Sequence, residues 1–154
     1  MSALVAIAIG SNVGDRREHV EWAFARLRER LGEVVTSSII ETDPVDVPEP
    51  QEAFLNAAVT GVTDIEPVPL VDLLLSLERQ RGRIRPFPRA PRTLDLDLIL
   101  YGDRIVRTSD VEIPHSRFRE RKFVLEPLAE IAPDMRDPVT GRTVRELLVL
   151  SGGR

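Results

Sequence analysis

RTLDLDLILYGD, residues 92–103, decides how the rest of the chain is read. Leu94, Leu96, Leu98, Ile99 and Leu100 form the apolar run of a buried β-strand, expected over 94–101, closed by a turn at Gly102-Asp103. Asp95 and Asp97 are threaded between the leucines. Strand side chains alternate, so the two carboxylates share one face, with Cα atoms roughly 6.5–7 Å apart. Held that way they repel each other and are costly to desolvate together. One or two divalent cations remove that cost. Mg²⁺ prefers one or two carboxylates plus substrate phosphates, and paired ions sit about 3.5–4 Å apart. The plainer reading is an amphipathic strand with one solvated face. Against it, the polar positions are confined to the first half of the strand, and six arginines (Arg79, Arg81, Arg83, Arg85, Arg89, Arg92) precede it with no acid among them. Guanidinium forks suit phosphate oxygens, and Mg²⁺ with Arg around a dense anion is the apparatus of phosphoryl transfer.

Outward from this strand the elements follow in a simple order. LVAIAIG, 4–10, reads as a buried strand, and SNVGD, 11–15, as a strand-to-helix turn. GSNVGD is neither a GxxxxGK[ST] loop nor GxGxxG. Asp15 and Glu18 have capping-box spacing, and Val20, Ala23, Phe24, Leu27 and Leu31 recur at helical spacing, giving a helix over 15–31 ended by Gly32. The β-branched EVVTSSIIE, 33–41, reads as one strand. TDPVDVPEPQ, 42–51, is a Pro-rich loop long enough to suspect a role, and AFLNAAVTGV, 53–62, is another strand. Pro69 suits the start of a helix with the face Leu70, Leu73, Leu74 and Leu77, stopped at Gly82. RIRPFPRAP, 83–91, is a second Pro-rich loop. Weak strands at 104–106 and 111–113 suggest a hairpin. FVLEPLAEIAP, 123–133, gives a short helix closed by Pro133, and Thr143 with Glu146 caps a last helix over 144–150. The order β-α-β-β-α-β predicts an α+β, ferredoxin-like antiparallel sheet with helices on one face. The C-terminal hairpin and short helices are left to cover the other.

Composition bounds the function. The chain has 154 residues, 42% apolar and 30% charged, which suits one soluble domain spanning 1–154. There is no Cys, so disulfides and thiolate metal sites are excluded. No apolar run reaches the ~20 residues of a membrane span. MSALVAIAIG lacks a basic n-region, so a cytoplasmic address is expected. With a net charge of −4, neither nucleic acid nor membrane is an expected partner.

Other residues invite chemistry. His115 follows Pro114 and is surrounded by Arg117, Arg119, Arg121 and Lys122. A His among cations should have a lowered pKa and can donate to a phosphate oxygen; the alternative is a solvated surface side chain. His19 receives no role. Asn56 lies on the same strand face as Phe54 in an apolar run, so it requires a hydrogen-bond partner. Phe and Asn side by side can stack on a flat heterocycle and read its edge.

Together FLNAAV, ExxxGRxR (Glu78, Gly82, Arg83, Arg85), PRTLDLDLILYGD and IPHxxxxxRxFVLxPLxEIAP resemble the 6-hydroxymethyl-7,8-dihydropterin pyrophosphokinase family of folate biosynthesis, from AIAIGSNVGD to PLAEIAPD. The resemblance implies transfer of pyrophosphate from ATP to the hydroxymethyl group of the dihydropterin, releasing AMP. It implies that Asp95 and Asp97 hold two Mg²⁺ ions, and that Phe54 and Phe123 sandwich the pterin with Asn56 on its edge. Thr42 and backbone near Val45 complete that pocket, while Arg83, Arg92, His115 and Arg121 grip phosphates. Arg92 and His115 join the aspartates as catalytic candidates. A monomer with only small-molecule substrates is expected. The chain departs from the family pattern at Arg89-Ala90, where a Trp-Gly pair is usual, at Asp43 (usually Pro) and at Ser116 (commonly Tyr). Leu75 stands where some relatives carry a polar side chain. These changes spare the acid pair, so altered affinities rather than lost chemistry are implied. The rival readings are an RNA-binding domain of the same element order and a non-catalytic ligand-sensing domain.

Overall fold

In the computed structural model, residues 2–42, 53–82 and 93–151 are described. Strand β1 (Ala3–Ser11) leads through Asp15 into α1 (Arg16–Arg30), where the Asp15 carboxylate accepts the Glu18 amide at 3.1 Å. Then come β2 (Gly32–Thr36), β3 (Ile40–Thr42), β4 (Phe54–Thr63), α2 (Pro67–Gln80) and β5 (Asp95–Tyr101). A small hairpin of β6 (Val106–Arg107) and β7 (Glu112–Ile113) follows, then a 3₁₀ turn at Phe118–Glu120, α3 (Lys122–Ile131) and α4 (Val144–Leu150). The main sheet is antiparallel in the order β2-β4-β1-β5, with β3 also paired to β4. This is the ferredoxin-like arrangement, with β2 and β3 together occupying one strand position.

Two cores flank the sheet. Val5, Ile7, Ile9, Ala57, Val59, Leu96 and Leu98 meet Val20, Phe24 and Leu27 of α1 and Leu70, Leu74 and Leu77 of α2. On the opposite face Ala6, Ala58, Ile99 and Leu100 meet Phe118, Val124, Leu125 and Leu128 of the α3 region and Val144 and Leu147 of α4. Alternation along each strand supplies both faces, so the C-terminal helices do cover the second side.

Three local departures have physical causes. The expected strand over 33–41 breaks at 37–39. The Ser37 hydroxyl accepts the Ala58 amide at 2.8 Å and donates to the Ser38 carbonyl at 2.8 Å, so a side chain replaces the regular ladder. Helix α2 starts at Pro67, two residues before Pro69, because the first turn of a helix has no use for either missing N–H. Gly32 begins β2 instead of providing a left-handed helix cap, and the positive φ nearby, 49°, falls on Glu33.

Strand β5 carries one extra residue. Ile7 pairs with Leu98 but Ala6 pairs with Leu100, leaving Ile99 as a β-bulge. The Ile99 carbonyl accepts the backbone amide of His115 at 3.0 Å, just after the cis Ile113–Pro114 bond. At the other end the Thr143–Glu146 capping box opens α4 as expected.

Candidate active site

The face of the sheet under α3 becomes polar at one end. Pairing puts Asn56 opposite Gly10 and Gly10 opposite Asp95; one row further in, Ala58 faces Ala8 and Ala8 faces Asp97. Asp95 and Asp97 therefore share a face, both half-buried, while Leu96 and Leu98 between and beyond them are buried on the α1/α2 side. Glycine at position 10 keeps this floor open. A Cβ there would lie 3.3 Å from the Asn56 side-chain oxygen and 3.6 Å from the Phe54 ring. Among the described residues, no third Asp, Glu or His joins the acid pair in a ready-made metal cage.

The wall beside this floor is built by β3 and β4. Thr42 pairs with Phe54 and Ile40 with Asn56. Asn56 is 5% exposed and its amide donates to the Thr42 hydroxyl at 2.5 Å, which answers the need for a partner posed by a buried amide. With the amide NH₂ turned to Thr42, the side-chain oxygen is the atom near Gly10. Arg16 steadies the base of this wall, donating to the Ala53 carbonyl at 2.6 Å and to Glu41 at 3.1 Å.

The other side comes from the segment leading into α3. His115 is half-buried. Burial and the nearby Arg121 guanidinium lower its pKa below 6.5, against the opposing field of Asp95. The imidazole is thus neutral at pH 7. Its Nδ1 accepts the Arg117 amide at 3.3 Å, so the proton resides on Nε2, which is then a donor. A ¹⁵N NMR titration of the ring should give a midpoint below 6.5, and binding of a polyphosphate should raise it; a midpoint at or above 6.5 in the free protein would contradict the assigned environment. Arg121 is the N-cap residue of α3, with its guanidinium carbon 5.7 Å from the centre of the half-buried Phe123 ring. A helix N-terminus beside an arginine favours anions.

The structure thus places Thr42, Phe54 and Asn56 side by side, and His115, Arg121 and Asp95 within electrostatic reach of one another. Val45, Arg83 and Arg92, and with them most of the two Pro-rich loops, lie outside the described residues. Sequence reading gave no individual role to Glu78. Its carboxylate is 2% exposed and accepts the Leu96 amide at 2.6 Å, fixing α2 to edge strand β5 between the two aspartates. The signal was available: Glu78 is eight residues beyond Leu70 on the apolar stripe, an acid where a core side chain belongs. Likewise His19 accepts from Arg81 at 2.8 Å, and Arg81 also pairs with Glu18 at 2.9 Å and covers Trp22 at 5.2 Å. That network joins α1 to the end of α2.

No helix among the described residues is long and apolar enough to cross a membrane. Residues 6–133 match the family model described as 7,8-dihydro-6-hydroxymethylpterin-pyrophosphokinase. The chain is 42% identical over 142 residues to a 2-amino-4-hydroxy-6-hydroxymethyldihydropteridine pyrophosphokinase of Bacillus subtilis, covering 91% of this chain and 84% of that protein. It is 40% identical over 148 residues to the protein of the same description in Pseudomonas aeruginosa, covering 94% and 89%. A crystal structure of wild-type Plasmodium falciparum HPPK-DHPS with pteroate superposes with a TM-score of 0.77 at 14% identity. That alignment covers 100% of this chain and 43% of the other, so the chain spans well under half of that structure, and the likeness concerns the fold.

Proposed function

The chain belongs to the 7,8-dihydro-6-hydroxymethylpterin-pyrophosphokinase family, and we propose that the cleft between β3–β4, the acid end of β5 and the start of α3 performs that family's reaction. The protein is an ATP-dependent pyrophosphokinase of folate synthesis, moving a pyrophosphoryl group from ATP to 6-hydroxymethyl-7,8-dihydropterin. The hydroxymethyl oxygen gives up its proton to solvent as it forms a bond to the β-phosphorus, the bond from that phosphorus to the α–β bridging oxygen breaks, and AMP leaves.

One observation carries this reading: Asn56, Gly10 and Asp95 stand in a single cross-strand row. The row puts a group able to read a heterocycle next to a group able to anchor a charged phosphate, with only a glycine between. Phe54 and Phe123 offer faces for the pterin ring, Asn56 and Thr42 contact its edge, and Val45, outside the described residues, is assigned to the same pocket. His115 Nε2–H and Arg121 donate to phosphate oxygens, joined by Arg83 and Arg92. Neutral His115 suits this because it donates without the cost of burying another cation beside Arg121.

The donor set fits magnesium. Two half-buried carboxylates on one face, without sulfur ligands or a third protein ligand among the described residues, leave coordination positions for water and phosphate oxygens. Asp95 and Asp97 would hold Mg²⁺, as two ions in this reading. When bound, the metal supplies charge neutralisation on the triphosphate and lowers the pKa of a coordinated hydroxyl. Residues 1–154 act here as one catalytic domain and as a monomer.

The direct test is AMP release from Mg²⁺–ATP with and without hydroxymethyl-dihydropterin. AMP that appears only with the pterin supports the reading; ATP turnover indifferent to the pterin overturns it. Asn56→Ala tests the pterin wall separately. It removes an edge contact and leaves the Thr42 hydroxyl without this donor, so KM for the pterin should rise by roughly ten- to a hundredfold. KM for ATP should stay within about twofold, since each such deletion acts mainly on the substrate it touches.

A further inference from the structure

Glu130 belongs to the conspicuous PLxEIAP stretch, yet the reaction gives it nothing to do. It lies in the last turn of α3, far along the helix from Phe123. Both its carboxylate oxygens accept the Ser38 backbone amide, at 3.2 and 3.1 Å, and one accepts the Ser38 hydroxyl at 2.6 Å. Ser38 sits in the break between β2 and β3, two residues before Ile40, which pairs with Asn56, and four before Thr42.

These contacts join two structures that otherwise meet through packing. Helix α3 carries Phe123 in its first turn and Arg121 at its cap. Strand β3 carries Thr42, the hydrogen-bond partner of Asn56. The break at 37–39 is what makes the connection available. In a continuous strand the Ser38 amide belongs to a sheet ladder; here Ser37 takes over the exchange with Ala58, and the Ser38 amide turns to the helix. Glu130 and Phe123 stand on this one helix, with Pro127 between them, so the constraint passes along a single element.

We propose that Glu130 is a positioning residue for the pterin: its clamp on Ser38 sets the separation between the Phe123 side and the Thr42–Asn56 side of the cleft. A planar ring stacks well over only a narrow range of spacing, because dispersion contacts decay over fractions of an ångström. Glu130 touches neither substrate. Its effect is therefore selective for the flat substrate and small for the nucleotide. This inference rests on the assignment of the pterin to that cleft.

The experiment compares wild type, Glu130→Ala, Glu130→Gln, Ser38→Ala and the Glu130→Ala/Ser38→Ala double variant in steady-state AMP formation, with thermal melting of each. Glu130→Ala should raise KM for hydroxymethyl-dihydropterin about tenfold, while kcat and KM for ATP remain within about twofold. Glu130→Gln keeps an oxygen that accepts the Ser38 amide and should recover part of the loss. Ser38→Ala retains the backbone donor and should show the mildest effect, and the double variant should be no worse than Glu130→Ala alone. A lowered melting temperature with an unchanged pterin KM would make the clamp merely structural and overturn the inference, as would equal changes in both KM values. Wild-type protein that forms no AMP with the pterin would instead strike at the functional reading itself.

Discussion

Asp97→Ala is expected to reduce AMP formation by roughly three orders of magnitude, the scale seen when a preorganised electrostatic group is removed from a transition state. The fold should persist. Strand β5 is held by Leu96 and Leu98 against α1 and α2 and by Leu100 against the α3 region, none of which depends on the acid face. Removing one of two neighbouring like charges also relieves their mutual repulsion in the metal-free protein. The measurement pairs AMP release with circular dichroism and with calorimetric titration of Mg²⁺–ATP. Weakened metal-dependent nucleotide binding with intact secondary structure is the predicted signature. Turnover near the wild-type value would remove Asp97 from the machinery. Asp97→Asn is the sharper companion, since it keeps the shape and one oxygen donor while discarding the charge.

Arg119→Ala should produce the largest stability loss among side chains near the cleft. Asp137 has no exposed surface, and Arg119 grips it with two parallel hydrogen bonds, at 2.5 and 2.9 Å. The Thr140 hydroxyl at 2.7 Å and the Val139 amide at 3.0 Å complete its shell. Burial pushes the Asp137 pKa up, but the Arg119, Thr140 and Val139 hydrogen bonds outweigh it and bring the value down to about 2 from 3.8. Removing the cation leaves a buried carboxylate short of its main partner, at a cost of about 3 kcal/mol, the lower end for buried pairs because Arg119 itself is partly exposed. Urea unfolding at pH 7 reads this directly.

The pH dependence has a definite sign. The folded pKa lies below the unfolded one, so the unfolded chain binds more protons between them, and stability rises with pH across that interval. The Asp137 contribution is full above about pH 4 and is lost as pH falls toward 2. In Arg119→Ala the carboxyl titrates higher and acid unfolding should begin at higher pH; an unchanged acid limb would count against the buried pair. Because Arg119 lies in the 3₁₀ turn between His115 and Arg121, weaker nucleotide binding should accompany the loss of stability.

What could be read in advance depended on how local the physics was. The shared face of Asp95 and Asp97 follows from strand alternation alone, and the cap at Thr143–Glu146 from three-residue spacing; both are in the structure. The break at Ser37–Ile39 was hidden, because Val34, Val35 and Ile40 favour strand on either side of it, as does Ile39 within it, and only the tertiary partner, Ala58, tells the Ser37 hydroxyl what to do. The choice between Pro67 and Pro69 was equally silent, since each is acceptable in a first turn. The Arg119–Asp137 and Ser38–Glu130 links, separated by 18 and 92 residues, leave no periodic trace. For the cleft, residue chemistry nominated Asp95, Asp97, His115, Phe54 and Asn56, but their joint roles, and those of Thr42 and Arg121, came from the family resemblance. The cross-strand row through Gly10 required the sheet register.

The extra residue at Ile99 separates β5 into two halves that keep different time. Before it, odd-numbered positions look toward α3 and include both carboxylates; after it, Leu100 has taken that side and Tyr101 has crossed over, so that its hydroxyl reaches the Ile65 carbonyl at 2.7 Å. Excising Ile99 would restore plain alternation, with Asp95, Asp97 and Leu100 on one side and Leu96, Leu98 and Tyr101 on the other, so both halves keep their faces. The cost of the deletion falls instead on the buried Ile99 side chain and on the carbonyl that accepts the His115 amide, so it should disturb the seating of His115 while the acids stay beside Gly10.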